Sequence, residues 1–185
     1  MSSYQSLEDE ALVPLIQNKD QELYIHLVKR YQQRLIRYAR YLGASDDQAE
    51  DIVQESFIKS FINLNSFKTD KKFSSWIYRI VHNHTINFLK KEQKSQHTTL
   101  SDWLSEIIPS KANLEEEFEL ELSKEELRRQ LDKLAHNHKE VLILYYFEDK
   151  RYQEISEILR IPTSTVGIRL RRAKQKLREL CQKKP

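Results

Sequence analysis

Two glycines in 185 residues, Gly43 and Gly167, restrict this chain more than any other feature. Average usage would supply about a dozen. Proline is scarce too, at four. Hairpins, sandwiches and barrels turn their chains on glycine, so the expected class is all-α with helix-compatible links. Neither GxxxxGK[ST] nor GxGxxG occurs. Phosphate-cradling loops, and with them most nucleotide-dependent enzymes, are therefore excluded. The single cysteine, Cys181, rules out an internal disulfide or a cysteine-rich zinc site and fits a reducing compartment. No apolar run approaches the roughly 20 residues of a membrane span. The acidic opening MSSYQSLEDEAL does not read as a secretion signal. No membrane insertion is expected, and the expected location is cytoplasmic.

The net charge of +3 hides a strong pattern. Residues 67–94 carry seven lysines and arginines against Asp70 and Glu92. Residues 169–184 carry eight against Glu179 alone. Between them, residues 112–126 carry seven glutamates against Lys124. Two basic segments separated by an acidic one suggest two contacts on a polyanion; solvated charged faces are the plainer alternative.

Apolar spacing divides the chain. A short helix is expected over Leu7–Gln17, with Ser6 as its cap. Asp20 can cap the next, whose stripe is Leu23, Leu27, Tyr31, Leu35, Tyr38 and Leu42, stopped by Gly43. Ser45 and Gln48 have capping-box spacing and open a third helix burying Ala49, Ile52, Val53, Phe57, Phe61 and Leu64. A polar stretch from Asn65 to Lys72 precedes a fourth stripe of Phe73, Trp76, Ile77, Ile80, Val81 and Phe88. The expectation is two small helical domains: a four-helix domain at 1–92, a flexible linker at 93–117 with a short turn around Trp103 and Leu104, and a second domain at 118–185. The second domain resumes at Phe118 and Leu122, has an apolar helix over Val141–Phe147, and ends in helices Tyr152–Leu159 and Thr163–Leu180.

The sharpest local signal is RYQEISEILRIPTSTVGIRLRRA at 151–173. A short helix, a tight turn and a longer helix starting beside a proline form a helix-turn-helix pattern. Val166, Leu170, Ala173, Leu177 and Leu180 are expected to pack. Ser164, Gly167, Ile168, Arg171, Arg172 and Gln175 lie on the opposite face, the one that enters a major groove. A helical hairpin with a basic exterior is the competing reading. On the fourth helix, Arg79, Asn83, Asn87 and Lys90 share a face; arginine and lysine hold phosphates and asparagine bonds base edges. The mixed basic and aromatic run Phe67–Phe73 suits stacked or extruded bases. Trp76 reads as core. On the third helix, Asp47, Glu50, Asp51, Gln54 and Glu55 face away from the apolar stripe. That acidic surface fits a basic protein partner better than nucleic acid.

In their order, DDQAEDIVQESFIKSFINLNSFK, FSSWIYRIVHNHTINFLKK and YQEISEILRIPTSTVGIRLRRAKQKLREL resemble sigma factors of bacterial RNA polymerase, in the small extracytoplasmic-function group of the sigma-70 family. The resemblance covers about residues 6–92 and 120–180. It implies that the third helix binds the coiled coil of the polymerase β′ subunit through Asp51, Gln54 and Glu55. It implies that the preceding loop and fourth helix recognise and open the minus-ten promoter element through Lys68, Lys71, Lys72, Arg79, Asn83 and Asn87. It implies that the last helix reads the minus-thirty-five element through Ser164, Gly167, Ile168, Arg171 and Arg172. Core polymerase (β′ and β subunits), promoter DNA and an anti-sigma factor are the implied partners.

Three departures from the family pattern stand out. Asn87 replaces a frequent aspartate. Arg160 stands where the turn usually has glycine, and a left-handed backbone there costs a non-glycine residue about 1 kcal/mol, so an adjusted turn is expected. Gly167 replaces a common lysine or arginine and cannot reach a base, which leaves readout to Arg171, Arg172 and DNA shape.

No catalytic residue, metal site or cofactor is expected. His82/His84 and His136/His138 are i, i+2 pairs that point to different sides of a helix. There is no HExxH and no nucleophile motif. Nearby cations could lower the Cys181 pKa, though a plain exposed thiol is the simpler reading. Two other classes remain: a helix-turn-helix repressor or activator acting without core polymerase, and a helical regulator that binds only protein.

Overall fold

The computed structural model describes Tyr4, residues 7–95 and residues 124–182. These are helical with no strand among them, and they divide into two compact units, one within Met1–Ser101 and one within Asp102–Pro185. The expected cap Ser6, the turn at Trp103 and Leu104, and the apolar residues Phe118 and Leu122 lie outside the described residues. So does most of the acidic stretch. Of the stretch read as a linker, residues 93–95 belong to the last turn of the fourth helix and the rest lies outside the description.

The first unit is built from α1 (Asp9–Asn18), α2 (Tyr24–Leu42), α3 (Asp46–Ile62) and α4 (Phe73–Ser95). Asp20 accepts from the Glu22 backbone N–H and so caps the short 3-10 turn Gln21–Leu23 that leads into α2. Gly43 ends α2 at φ +121°, a backbone an L side chain rarely adopts. The Ser45–Gln48 capping box is fully formed: Ser45 Oγ accepts from Gln48 N, and Gln48 Oε1 accepts from Ser45 N at 3.0 Å. Leu12, Leu27, Leu35, Tyr38, Ala49, Ile52, Val53, Phe57, Phe73, Ile77 and Val81 form the core. Each large side chain buried there contributes about 1.5–3 kcal/mol. Asp9 ties α1 to α2, pairing with Arg30 at 2.6 Å and accepting from the Tyr31 hydroxyl.

Four details differ from the apolar pattern. Phe61 is 38% exposed rather than packed inside. Leu64 is buried from a separate 3-10 turn, Leu64–Ser66, beyond the end of α3. Trp76, Ile80 and Phe88 are only half-buried. In the other direction, Ser56, Ser60 and Thr85 are fully buried. Their hydroxyls donate to the carbonyls of Ile52, Phe57 and Val81 respectively, which removes the cost of burying a polar group.

The second unit is built from α5 (Lys124–Asp132), α6 (His136–Leu142), α7 (Tyr152–Leu159) and α8 (Thr163–Gln182). The apolar segment after Val141 is not one uniform α-helix: α6 continues into a π turn, Ile143–Phe147. Leu127, Leu131, Val141, Leu142, Ile143, Leu144, Ile155, Ile158, Val166, Leu170, Ala173 and Leu177 close the core. The turn between α7 and α8 is stitched twice. Ile161 N donates to Ser156 O at 3.2 Å, and Ser156 Oγ donates to Ile161 O at 2.6 Å. Arg160 sits at φ +53°, ψ +47°. The turn is therefore not adjusted around the missing glycine, and Arg160 takes the left-handed conformation itself.

Candidate nucleic-acid interface

Three surfaces carry the residues singled out from the sequence. The first lies on α3. Asp47, Glu50, Asp51, Gln54 and Glu55 are all exposed, as their spacing demands. Glu55 pairs with Lys59 at 3.4 Å and with His84 Nε2 at 3.2 Å. Burial, and then the charge of Lys59, hold the His84 pKa below its ordinary value. Beside these residues an open groove of about 680 Å³ runs between α2 and α3, lined by Tyr24, Ile25, Gln54, Ile58 and Phe61 among others. Ile25, Ile58 and Ile62 are 48%, 53% and 71% exposed. The sequence reading missed this apolar component. The available signal was Ile58 and Ile62, one helical turn apart and off the buried stripe. The groove floor is stiffened by Tyr24, whose hydroxyl donates to Phe57 O at 3.0 Å. Burial pushes that phenol up to about 12.

The second surface joins the loop before α4 to the outer face of α4. Lys68, Lys71 and Lys72 are exposed along the loop. Its aromatic ends do not present platforms for bases. Phe67 and Phe73 are buried, their rings meeting edge to face at 5.9 Å. Both rings pack on Trp76, at 5.1 and 5.7 Å. The aromatics anchor the loop and the lysines project from it. Gln17 Nε2 donates to Leu64 O at 2.8 Å, and Phe73 N donates to Glu10 Oε1 at 3.4 Å, so α1 holds both ends. Along α4, Asn83 and Asn87 are exposed one turn apart and Arg79 is half-buried one turn before them. Behind them His82 is buried, its Nδ1 2.9 Å from the Tyr38 hydroxyl. The two adjacent polar residues thus have opposite environments.

The third surface is the outer face of α8. Ser164, Ile168, Arg171, Arg172 and Gln175 are exposed, opposite buried Val166, Leu170, Ala173 and Leu177. Gly167 lies on the flank, against Tyr152. Not every cation of this helix faces outward. Arg169 turns back to Glu140, 2.9 Å away, and Lys174 lies over the rings of Tyr145 and Tyr146 at 5.9 and 5.3 Å. Arg172 borders an open depression with Lys133, His138 and Lys176. The His138 pKa is held down by burial and by Arg169 and Arg172. Cys181 is half-buried and its pKa is raised, with burial outweighing Lys133. It is therefore neither the activated nor the plainly exposed thiol that its basic surroundings suggested.

No helix among the described residues is long and apolar enough to cross a membrane. The three surfaces offer hydrogen-bonding and cationic side chains on helices, suited to holding nucleic acid.

Comparison with known proteins agrees. Residues 27–95 match the family model for Sigma-70 region 2, and residues 124–177 match that for Sigma-70, region 4. The chain is 30% identical over 176 residues to the ECF RNA polymerase sigma factor SigW of Bacillus subtilis, covering 89% of this chain and 91% of that one. It is 32% identical over 179 residues to the ECF RNA polymerase sigma-E factor of Escherichia coli, covering 92% and 93%. Among solved structures, CnrH in complex with the cytosolic domain of CnrY aligns with a TM-score of 0.72 at 22% identity, covering 96% of this chain and 99% of that one. The sigma factor RpoE of Bartonella quintana, in complex with the anti-sigma factor NepR, aligns with a TM-score of 0.68 at 21% identity, covering 88% and 98%. The chain belongs to the extracytoplasmic-function group of the sigma-70 family, non-enzymatic factors that direct RNA polymerase to promoters.

Proposed function

We propose that the work of this sigma factor is divided among the three surfaces. The α3 face docks on core RNA polymerase: Asp51, Gln54 and Glu55 meet a basic coiled coil of the β′ subunit, and the apolar groove beside them takes its hydrophobic side chains. Charge complementarity of this kind speeds encounter and fixes register, while the apolar contact supplies affinity. The loop lysines Lys68, Lys71 and Lys72, with Arg79, hold phosphates of the minus-ten element. Asn83 and Asn87 bond base edges that are accessible only once the strands part. Contacts made to the open state alone shift the duplex toward opening, because a ligand moves an equilibrium only by its differential affinity. The α8 face engages the paired minus-thirty-five element, with Ser164, Ile168, Arg171 and Arg172 at the base edges and phosphates and Gly167 on the flank beside them. The domains at 1–92 and 118–185 act as two arms joined through 93–117, in the cytoplasm. An anti-sigma factor competing for the polymerase-binding surface completes the set of partners, by extension from the NepR complex of the Bartonella quintana sigma factor.

The observation that supports this most is the pair Asn83 and Asn87, exposed one turn apart behind a lysine-bearing loop in a chain that also carries a helix-turn-helix. A repressor needs only the latter. Run-off transcription on a promoter library, with core polymerase, with this chain and with both, tests it. Transcripts and promoter occupancy are expected only with both present. Tight duplex binding by the chain alone would favour a repressor.

A further inference from the structure

The recognition helix departs from an all-polar reading surface at one place. Ile168 is 45% exposed at the centre of the outer face of α8, with exposed Ser164 one turn before it and exposed Arg171 and Arg172 one turn after. Tyr152, the first residue of α7, is 39% exposed. Tyr152 lies beside Gly167, the residue before Ile168. A Cβ built there would lie 3.5 Å from Tyr152 Cε2, an ordinary van der Waals distance. A longer side chain at 167 would have to lie across that ring. Tyr145 holds the ring from the other side in a T-shaped contact at 5.7 Å.

Exposed apolar groups on a reading helix imply something apolar in the groove. The major groove offers one such group, the 5-methyl of thymine. The surroundings favour DNA over a protein as the occupant: residues 163–178 contain no acidic side chain and six basic ones, a pattern that fits phosphate and would repel a basic partner. We propose that Ile168, with the Tyr152 ring left accessible by Gly167, reads a thymine methyl group in the minus-thirty-five element. A cationic side chain at 167 would instead favour guanine. The inference rests on α8 being the reader of paired promoter DNA.

The test uses holoenzyme reconstituted from core polymerase and the full chain. An upstream element is first selected from a randomised library. Each of its thymines is then replaced by uracil, which removes the methyl group and keeps the hydrogen-bonding edge. At one position or more, uracil should lower occupancy about fourfold, the value of one buried methyl group. Ile168→Ser should lose that penalty while its helical circular dichroism melt is unchanged. Gly167→Arg should shift selection toward guanine. A selected element without thymine, uracil that costs nothing at every position, or an undiminished penalty in Ile168→Ser would overturn the inference. Failure to select any upstream element, or an Arg171→Ala holoenzyme with unchanged upstream occupancy, would instead remove the minus-thirty-five reading and this inference with it.

Discussion

Arg169 on α8 donates to Glu140 on α6 at 2.9 Å, and Glu140 is only 6% exposed. The recognition helix is therefore tethered through a residue that, in sequence, is one more member of a basic run. Removing the guanidinium leaves a carboxylate with less compensation in a buried site. Arg169→Met should cost the second unit about 2 kcal/mol, measured by urea melts followed by far-ultraviolet circular dichroism. Glu140→Gln in the same chain should recover part of the loss. The exposed Arg171→Met should cost no more than about 0.5 kcal/mol. Equal losses for the two arginines would contradict the tether.

Arg160 has the opposite character, a side chain in a backbone conformation that suits glycine. Arg160→Gly relieves left-handed strain and adds freedom to the unfolded chain, two effects that oppose each other. Relief should win, raising the stability of the second unit by about 0.5 kcal/mol. A lower urea midpoint would mean that the arginine side chain contributes more than its backbone costs.

His84 and His138 both titrate below the ordinary histidine value of 6.5, chiefly because burial disfavours their charged forms. The unfolded chain therefore takes up protons first as pH falls. Their contribution to stability is complete above pH 6.5 and is lost as pH drops through each folded value. Urea midpoints should fall between pH 7.5 and pH 5.5, and the fall should be smaller in a His84→Asn/His138→Asn chain. An unchanged pH dependence in that chain would assign the effect to other groups.

The α3 surface combines charge and apolar area, so two kinds of substitution should weaken polymerase capture by different routes. Asp51→Arg and Glu55→Arg place like charge against a basic partner and should slow association, most strongly at low salt. Ile58→Glu, at an exposed position lining the groove, should speed dissociation with little effect on folding. Surface plasmon resonance with immobilised core polymerase separates the two rates. Unchanged rates for all three would return this face to ordinary solvated surface.

What could be read from the sequence followed physical rules that act locally. The Ser45–Gln48 capping box, the stop at Gly43 and the stripe of α8 from Val166 to Leu177 need only nearest neighbours and helical spacing, and the structure places them as expected; Leu180, at the end of that stripe, is only half-buried. Three features were hidden because they depend on tertiary partners. Ser56, Ser60 and Thr85 are buried because their own helix accepts their hydroxyl hydrogens, which a polar letter does not reveal. Phe67 and Phe73 looked like base platforms until each was found against the other and Trp76. Ile58 is an apolar residue left outside, visible as part of a surface only when α2 closes one side of the groove, and Ile62 stands exposed one turn beyond it.

In the proposed division of labour the two units act on DNA in different states, α4 on opened strands and α8 on paired ones. Permanganate reactivity of unpaired thymines reports that difference. Asn83→Ala loses an amide contact to a base, worth about 1–3 kcal/mol, and should reduce open-complex formation on a duplex promoter about tenfold or more. On a template already mismatched across the minus-ten segment, part of that defect should recover, because strand separation no longer opposes binding. Arg171→Ala, whose contacts lie in DNA that stays paired, should show no such recovery. If both variants respond alike to the mismatched template, the assignment of melting to α4 is wrong.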